Sequence, residues 1–158
     1  MSTIKPFRGY LPPPDKTGKV SSPPYDVLSS DEAREMVQNN PDSFLRIIKP
    51  EIDFTPDSDP HGVSLHQHAA ENIRDFILSG KLKQDESSCL YLYEITMGSH
   101  TQMGIMAAVS IEEYNTGLIK KHEFTRQEKE DDRTRHIEIT NANTGPVFLV
   151  FRNDGNYQ

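Results

Sequence analysis

The sequence predicts an α+β fold, a mixed and largely antiparallel sheet with about two to three helices. Two observations carry this. Two stretches, from Ser30 to Asn39 and from Ser64 to Gly80, lie between start and stop signals, and the second repeats apolar residues at helical spacing. Two apolar, β-rich runs, Cys89 to Met97 and Thr101 to Ile111, flank Gly98-Ser99-His100 and read as a hairpin. A length of 158 residues suits a single domain with one core, or the N-terminal portion of a longer protein.

Taken in order, residues 1–28 form a proline-rich arm in which Pro12, Pro13, Pro14, Pro23 and Pro24 force extended or turn conformations. Phe7, Tyr10, Leu11, Val20, Tyr25 and Val27 give that arm anchors, so it is expected to be ordered. Residues 29–158 form the α+β body. Ser29 and Glu32 offer a capping box for the first helix, which Asn40-Pro41 ends. SFLRIIKP reads as a short strand, and residues 51–62, with two prolines and several aspartates, as a surface loop. Ser64 can cap the second helix, whose Leu65, Ala69, Ile73, Phe76 and Ile77 keep the helical period up to Gly80. After the hairpin, Gly117 to Glu123 and PVFLVF at 146–151 each read as a further strand. An apolar strand directly before RNDGNYQ also reads as a cut through a longer protein.

Composition excludes several function classes. A net charge of −7 argues against general nucleic-acid affinity, which depends on phosphate neutralisation by Lys and Arg. No run approaches the roughly 18 apolar residues of a membrane span, and MSTIKPFRGYLPPP lacks a signal-peptide core, so a cytoplasmic protein is expected. A single cysteine, Cys89, allows no intramolecular disulfide and no cysteine-cluster metal site. Opening an apolar run, it reads as a buried, inert thiol.

Three groups of residues could carry chemistry. Asp26, in Ser21-Ser22-Pro23-Pro24-Tyr25-Asp26-Val27, sits where prolines fix the backbone; it can serve as a base or as a turn-stabilising acceptor. His61, His66 and His68 have no His or Glu at the i,i+4 spacing of a helical metal site and read as surface histidines, with no metal site implied. The third group lies in Lys120 to Pro146. From Thr125 to His136 this stretch contains no apolar side chain. If it is helical, Arg126, Lys129, Arg133 and His136 share one stripe, with Glu128, Asp131 and Asp132 elsewhere. Such a stripe suits an anion, although a solvated charged segment accounts for the same composition. Lys121, His122 and Glu123 lie at an expected strand end, and Asn143 lies in a glycine-containing return. No nucleotide fingerprint is present.

The motifs PFRGYLPPP, SPPYDV, KKHEFT, KEDDRTRH and NANTGPVF, in that order, resemble the N-terminal part of the bacterial and archaeal family of domain of unknown function 1015. The resemblance spans nearly all of the chain. It implies that full-length members are longer and similar to partition-protein/sulfiredoxin-like proteins, through an Asp-Gly-His-His-Arg motif that this sequence lacks. It further implies a link to nucleotide-using kinases of free serine, with ATP or ADP and Mg²⁺ as cofactors of the full-length protein and none implied by this chain alone. The positions inside matching motifs are Asp26, Lys121, His122, Glu123, Lys129, Asp132, Arg133, His136 and Asn143.

The expectation is therefore the N-terminal part of a nucleotide-dependent kinase of a serine-like hydroxyl metabolite. Asp26 or Glu123 would be the base, and His122 could move a proton. Lys121, Lys129, Arg133, His136 and Asn143 would hold an anionic or amino-acid-like ligand. The missing C-terminal part of the same protein would be its partner, with neither nucleic acid nor membrane. The alternative is a non-catalytic metabolite-binding or regulatory module, which uses the same basic stripe without a base.

Overall fold

The structure, a computed structural model, describes residues 2–55, 63–121 and 125–151. It is α+β, as the sequence predicts. The described residues form six α-helices and three two-stranded antiparallel sheets. The chain divides into two compact units, Met1–Ser21 with Arg74–Glu130, and Ser22–Ile73 with Asp131–Gln158.

In the first unit the proline-rich arm is stitched to later segments by short ladders. β1 (Ile4–Lys5) pairs with β6 (Ala108–Val109), and β2 (Tyr10–Leu11) with β3 (Lys83–Gln84). Between them Phe7 and Cys89 exchange backbone hydrogen bonds of 3.0 and 2.9 Å. Prolines after β2 end the ladder because they cannot donate, and α1 (Thr17–Val20) follows. The Tyr91 hydroxyl ties these pieces together: it accepts from the Gly9 N–H at 2.7 Å and donates to Asp85 Oδ2 at 2.6 Å. A Cβ on Gly9 would lie 2.8 Å from that hydroxyl, so the close approach requires glycine.

The predicted hairpin is present. β4 (Tyr91–Met97) pairs with β5 (His100–Met106) from Tyr91↔Met106 to Met97↔His100. Gly98, with φ of 61°, supplies the positive φ of a two-residue turn, and His100 belongs to the strand. Leu92, Met97, Met103 and Ile105 on this hairpin are exposed. Ser110 then caps α5 (Ile111–Asn115), accepting from the Glu113 N–H at 3.3 Å.

The second unit holds most of the buried apolar residues. α2 (Ser30–Val37) begins with the expected capping box, in which Ser29 and Glu32 satisfy each other's backbone N–H groups. Its Ala33 and Val37 are buried, as are Leu45, Ile47 and Ile48 of α3 (Leu45–Ile48) and Ile52 of the 3-10 turn Pro50–Asp53. α4 (Val63–Leu78) contributes Leu65 and Ala69 to this unit; its last turn belongs to the first unit, where Phe76 is buried. Ser64 lies in the first turn of α4, and Gly80, with φ of 67°, follows its end as predicted. α6 (Gln127–Thr140) turns off at Asn141, whose φ of 51° places it in the left-handed region. Three helices thus have eight residues or more, and the other three have five or fewer.

Several expectations are corrected. SFLRIIKP is helical through Leu45–Ile48, because a short run rich in apolar residues does not betray its period. Residues 117–121 form turn and irregular backbone, with Gly117 at φ of 77°; residues 122–124 lie outside the described part. Residues 146–151 form no ladder among the described residues, and Val147, Phe148 and Val150 are exposed. A β-rich composition becomes a strand only where another strand completes its hydrogen bonds. Cys89 is half-buried, not buried as expected, and its backbone bridges Phe7 of the arm. Most of the loop at 51–62 lies outside the described residues, and Pro50–Asp53 is the 3-10 turn named above. No helix among the described residues is long and apolar enough to cross a membrane.

Leu45→Ala, at a fully buried position, should lower the unfolding free energy by about 2–5 kcal/mol, and Ser29→Ala by about 1 kcal/mol through loss of the cap. Urea denaturation measures both, and a smaller loss for Leu45 than for Ser29 would contradict this placement of the core.

Candidate functional site

A helix without apolar residues in its first half can still bury a face if its polar groups find partners inside. The charged stretch is helical, and α6 does this with Asp132, His136 and Thr140, which recur at i, i+4 and i+8 and are all buried. Ile137, by contrast, is exposed. Hydrophobic burial therefore does not set which face of α6 points inward.

Asp132 is 8% exposed, so its carboxylate needs compensation. Its Oδ2 accepts from Arg133 Nε at 3.2 Å and Nη2 at 2.8 Å. Its Oδ1 lies 3.4 Å from Nε2 of His66, which is 2% exposed. Adjacent helical residues point about 100° apart, so Arg133 must curl back to reach Asp132. In that pose its guanidinium carbon sits 4.4 Å from the centre of the Tyr25 ring. Tyr25 begins the 3-10 turn Tyr25–Val27, formed directly after Pro23-Pro24. Arg133 Nη1 has no hydrogen-bond partner among the described residues.

His136, 1% exposed, packs edge-on against His66 with ring centres 5.6 Å apart. Its Nε2 shares a hydrogen bond of 3.2 Å with Thr144 Oγ1, while its Nδ1 is buried without a partner among the described residues. Burial first, then the charges of Arg133 and His66, push the imidazole from its ordinary 6.5 down to about 4, against the opposite pull of Asp132. His136 is neutral at pH 7. It can accept or donate a hydrogen bond, but it cannot hold an anion by charge as the sequence suggests.

The other expected residues are distributed as follows. Asp26 is exposed in the 3-10 turn next to Tyr25, in the same unit as Arg133. Asn143 is exposed, and its Oδ1 accepts from the Gly145 N–H at 3.3 Å, so it shapes the return from α6. Lys129 is exposed on α6, in the part of that helix belonging to the first unit. Lys121, also in the first unit, places its ammonium 4.5 Å from the centre of the Tyr114 ring. His122 and Glu123 lie outside the described residues, as does His61. The second unit therefore brings together Tyr25, Asp132, Arg133, His136 and Thr144, with Asp26 beside Tyr25.

Two members of this cluster were misplaced by sequence reasoning. The sequence sets Asp132 off the basic stripe that holds His136, whereas the structure buries both on one face of α6. The sequence reads His66 and His68 as surface residues, yet His66 is 2% exposed. At 100° per residue His66 falls between Ile73 and Ile77 on α4, inside the arc that defines the helix as amphipathic. That signal could have found it. His68 falls outside the arc; it is half-buried, 2.9 Å from Asp53 Oδ2 and edge-on to Phe54.

The family model described as protein of unknown function (DUF1015) matches residues 4–158. No curated protein and no solved structure matches the chain.

Between pH 6.5 and 4 the unfolded chain takes up a proton at His136 that the folded chain excludes. Stability should therefore fall as pH falls through this window, by at most about 3 kcal/mol. Urea unfolding at pH 7 and pH 4.5 should show a smaller acid loss for His136→Gln than for the parent. Equal losses would mean that His136 is not held neutral.

Proposed function

The chain belongs to the DUF1015 family, and we propose that it supplies the anion-holding part of a small-molecule kinase acting on a serine-like hydroxyl metabolite. Arg133 is the ligand-facing cation. One observation supports this above the others: Asp132 and the Tyr25 ring fix the guanidinium on two sides while Nη1 stays uncommitted. A guanidinium held in place loses less conformational entropy on binding, and a free N–H edge matches a carboxylate or phosphate oxygen. In this reading Asp26, next to Tyr25 in the chain, is the candidate base for a substrate hydroxyl.

Nucleotide and Mg²⁺ do not fit the described residues. No group of three or more His, Cys, Asp or Glu side chains among them could hold a cation, and Arg133 alone cannot neutralise a polyphosphate. The role proposed for this chain is thus confined to the amino-acid-like substrate or its phosphorylated product. ATP or ADP would be bound elsewhere in a full-length protein.

A second reading, a metabolite-binding or regulatory module, is favoured by one observation. Asp26 is exposed and no described residue hydrogen-bonds its carboxylate, so nothing fixes it in the geometry of a base.

Titration calorimetry with O-phosphoserine should show Arg133→Ala binding about 10-fold to 100-fold more weakly, the loss of a charge-assisted hydrogen bond, with Asp26→Asn unchanged. In the full-length protein given ATP or ADP, Mg²⁺ and serine, Asp26→Asn should lower turnover. Intact affinity in Arg133→Ala would overturn the site, and intact turnover in Asp26→Asn would favour the binding module.

A further inference from the structure

A guanidinium carries five N–H donors, and one that lines a cleft can offer a ligand those its own chain leaves unused. In the second unit, Arg34 of α2 and Arg46 of α3 line a cleft of about 480 Å³ together with Glu35, Val37, Gln38 and Ile52, a size that suits a small ligand. Arg34 donates through Nη1 to Asp31 Oδ1 at 2.8 Å and through Nη2 to the Glu51 carbonyl at 3.1 Å. Arg46 donates through Nη1 to Asp53 Oδ1 and through Nη2 to the Val37 carbonyl at 3.3 Å. Each Nη keeps a second N–H, and both Nε atoms are buried without a hydrogen-bond partner among the described residues. Buried donors left unmade are costly, and two of them at one cleft call for an acceptor.

Charge points the same way. The Asp31 side chain is 91% exposed, so its bridge to Arg34 is screened by solvent and neutralises little. The Glu51 carboxylate does not serve Arg34: it meets Lys49 Nζ at 3.0 Å and accepts from Ser30 Oγ at 2.9 Å. Asp53, which meets Arg46, is shared with His68 at 2.9 Å. The lining thus sets two guanidiniums against the one carboxylate of Glu35, a local excess of positive charge in a chain of net charge −7. We propose that this cleft is a second anion site, sharing no residue with the cluster around Arg133, and that it takes a small carboxylate with a short apolar body. The guanidiniums receive the carboxylate oxygens, and Val37 and Ile52 offer the apolar part side chains that compete for no hydrogen bond. The frame is firm, since Leu45 and Ile47 on either side of Arg46 are fully buried and Ala33 and Val37 anchor α2 in the core.

Isovalerate, a carboxylate on a short branched chain, and isovaleramide, its uncharged analogue, are suitable probes. Each is titrated into the whole chain while nitrogen–proton spectra follow the arginine Nε–H signals and the backbone amides. Isovalerate should give saturating shifts confined to residues of α2, α3 and the 3-10 turn after it, and isovaleramide should bind at least about tenfold more weakly. Arg34→Gln should weaken isovalerate about tenfold, whereas Glu35→Gln, which removes a like charge from the lining, should tighten it about threefold. Arg133→Ala should leave it unchanged. Shifts that never saturate, or equal binding of the two probes, would overturn the site. Loss of isovalerate binding in Arg133→Ala would overturn it too, by assigning the probe to the other cluster. Melting midpoints establish that the variants are folded. Should Arg34→Gln not fold, Glu35→Gln at its exposed position decides alone, and an affinity unchanged or weakened there contradicts an anionic ligand.

Discussion

The buried carboxylate of Asp132 is the constraint around which the second unit is arranged. A charge taken out of water must be met by opposite charge or hydrogen-bond donors, or it neutralises. Asp132 is met by the Arg133 guanidinium on one oxygen and approached by His66 on the other. Satisfying it pulls Arg133 off the outward course of its neighbours and lays it on Tyr25. The proline turn is therefore linked to the charged helix by an aromatic ring and a cation, about a hundred residues apart along the sequence.

The inward face of α6 is consequently polar. Asp132, His136 and Thr140 are buried while Ile137 is exposed. The Thr140 hydroxyl donates back to the His136 carbonyl at 2.6 Å, and Thr144 meets the His136 ring at 3.2 Å. The Nδ1 atom of His136 is buried without a hydrogen-bond partner among the described residues. A buried donor or acceptor left unmade costs about 1–3 kcal/mol. A unit whose apolar core already contains Leu45, Ile47 and Leu65 does not need that arrangement for folding. Retaining it is easier to understand if the polar face prepares Arg133 for a ligand.

Local signals in the sequence carried much of the fold. The capping box at Ser29 and Glu32, the apolar period ending at Gly80 and the glycine turn at Gly98 all depend on neighbours within a few residues, and all are present. Leu45–Ile48 and residues 146–151 misled because a short run rich in apolar residues states neither period nor strand partner. The site was legible in part. Arg133 and Asp26 stand out from their motifs, and the helical stripe places His136 beside Arg133. Asp132 and His66 read as outward because charge and a polar ring signal exposure, although His66 falls within the apolar arc of α4. Burial of a polar group is decided by the partner it meets, and that partner lies on another element.

The Nε–H resonance of Arg133 in side-chain nitrogen–proton spectra tests most directly whether this guanidinium is pre-set for an anion. Bonded to Asp132 within a partly buried cluster, it should appear at pH 7 as a separate, slowly exchanging signal, absent from Arg133→Lys, and should shift on addition of O-phosphoserine without broadening away. A signal merged with those of the exposed arginines and unmoved by the ligand would contradict the fixed guanidinium and its role as an anion holder.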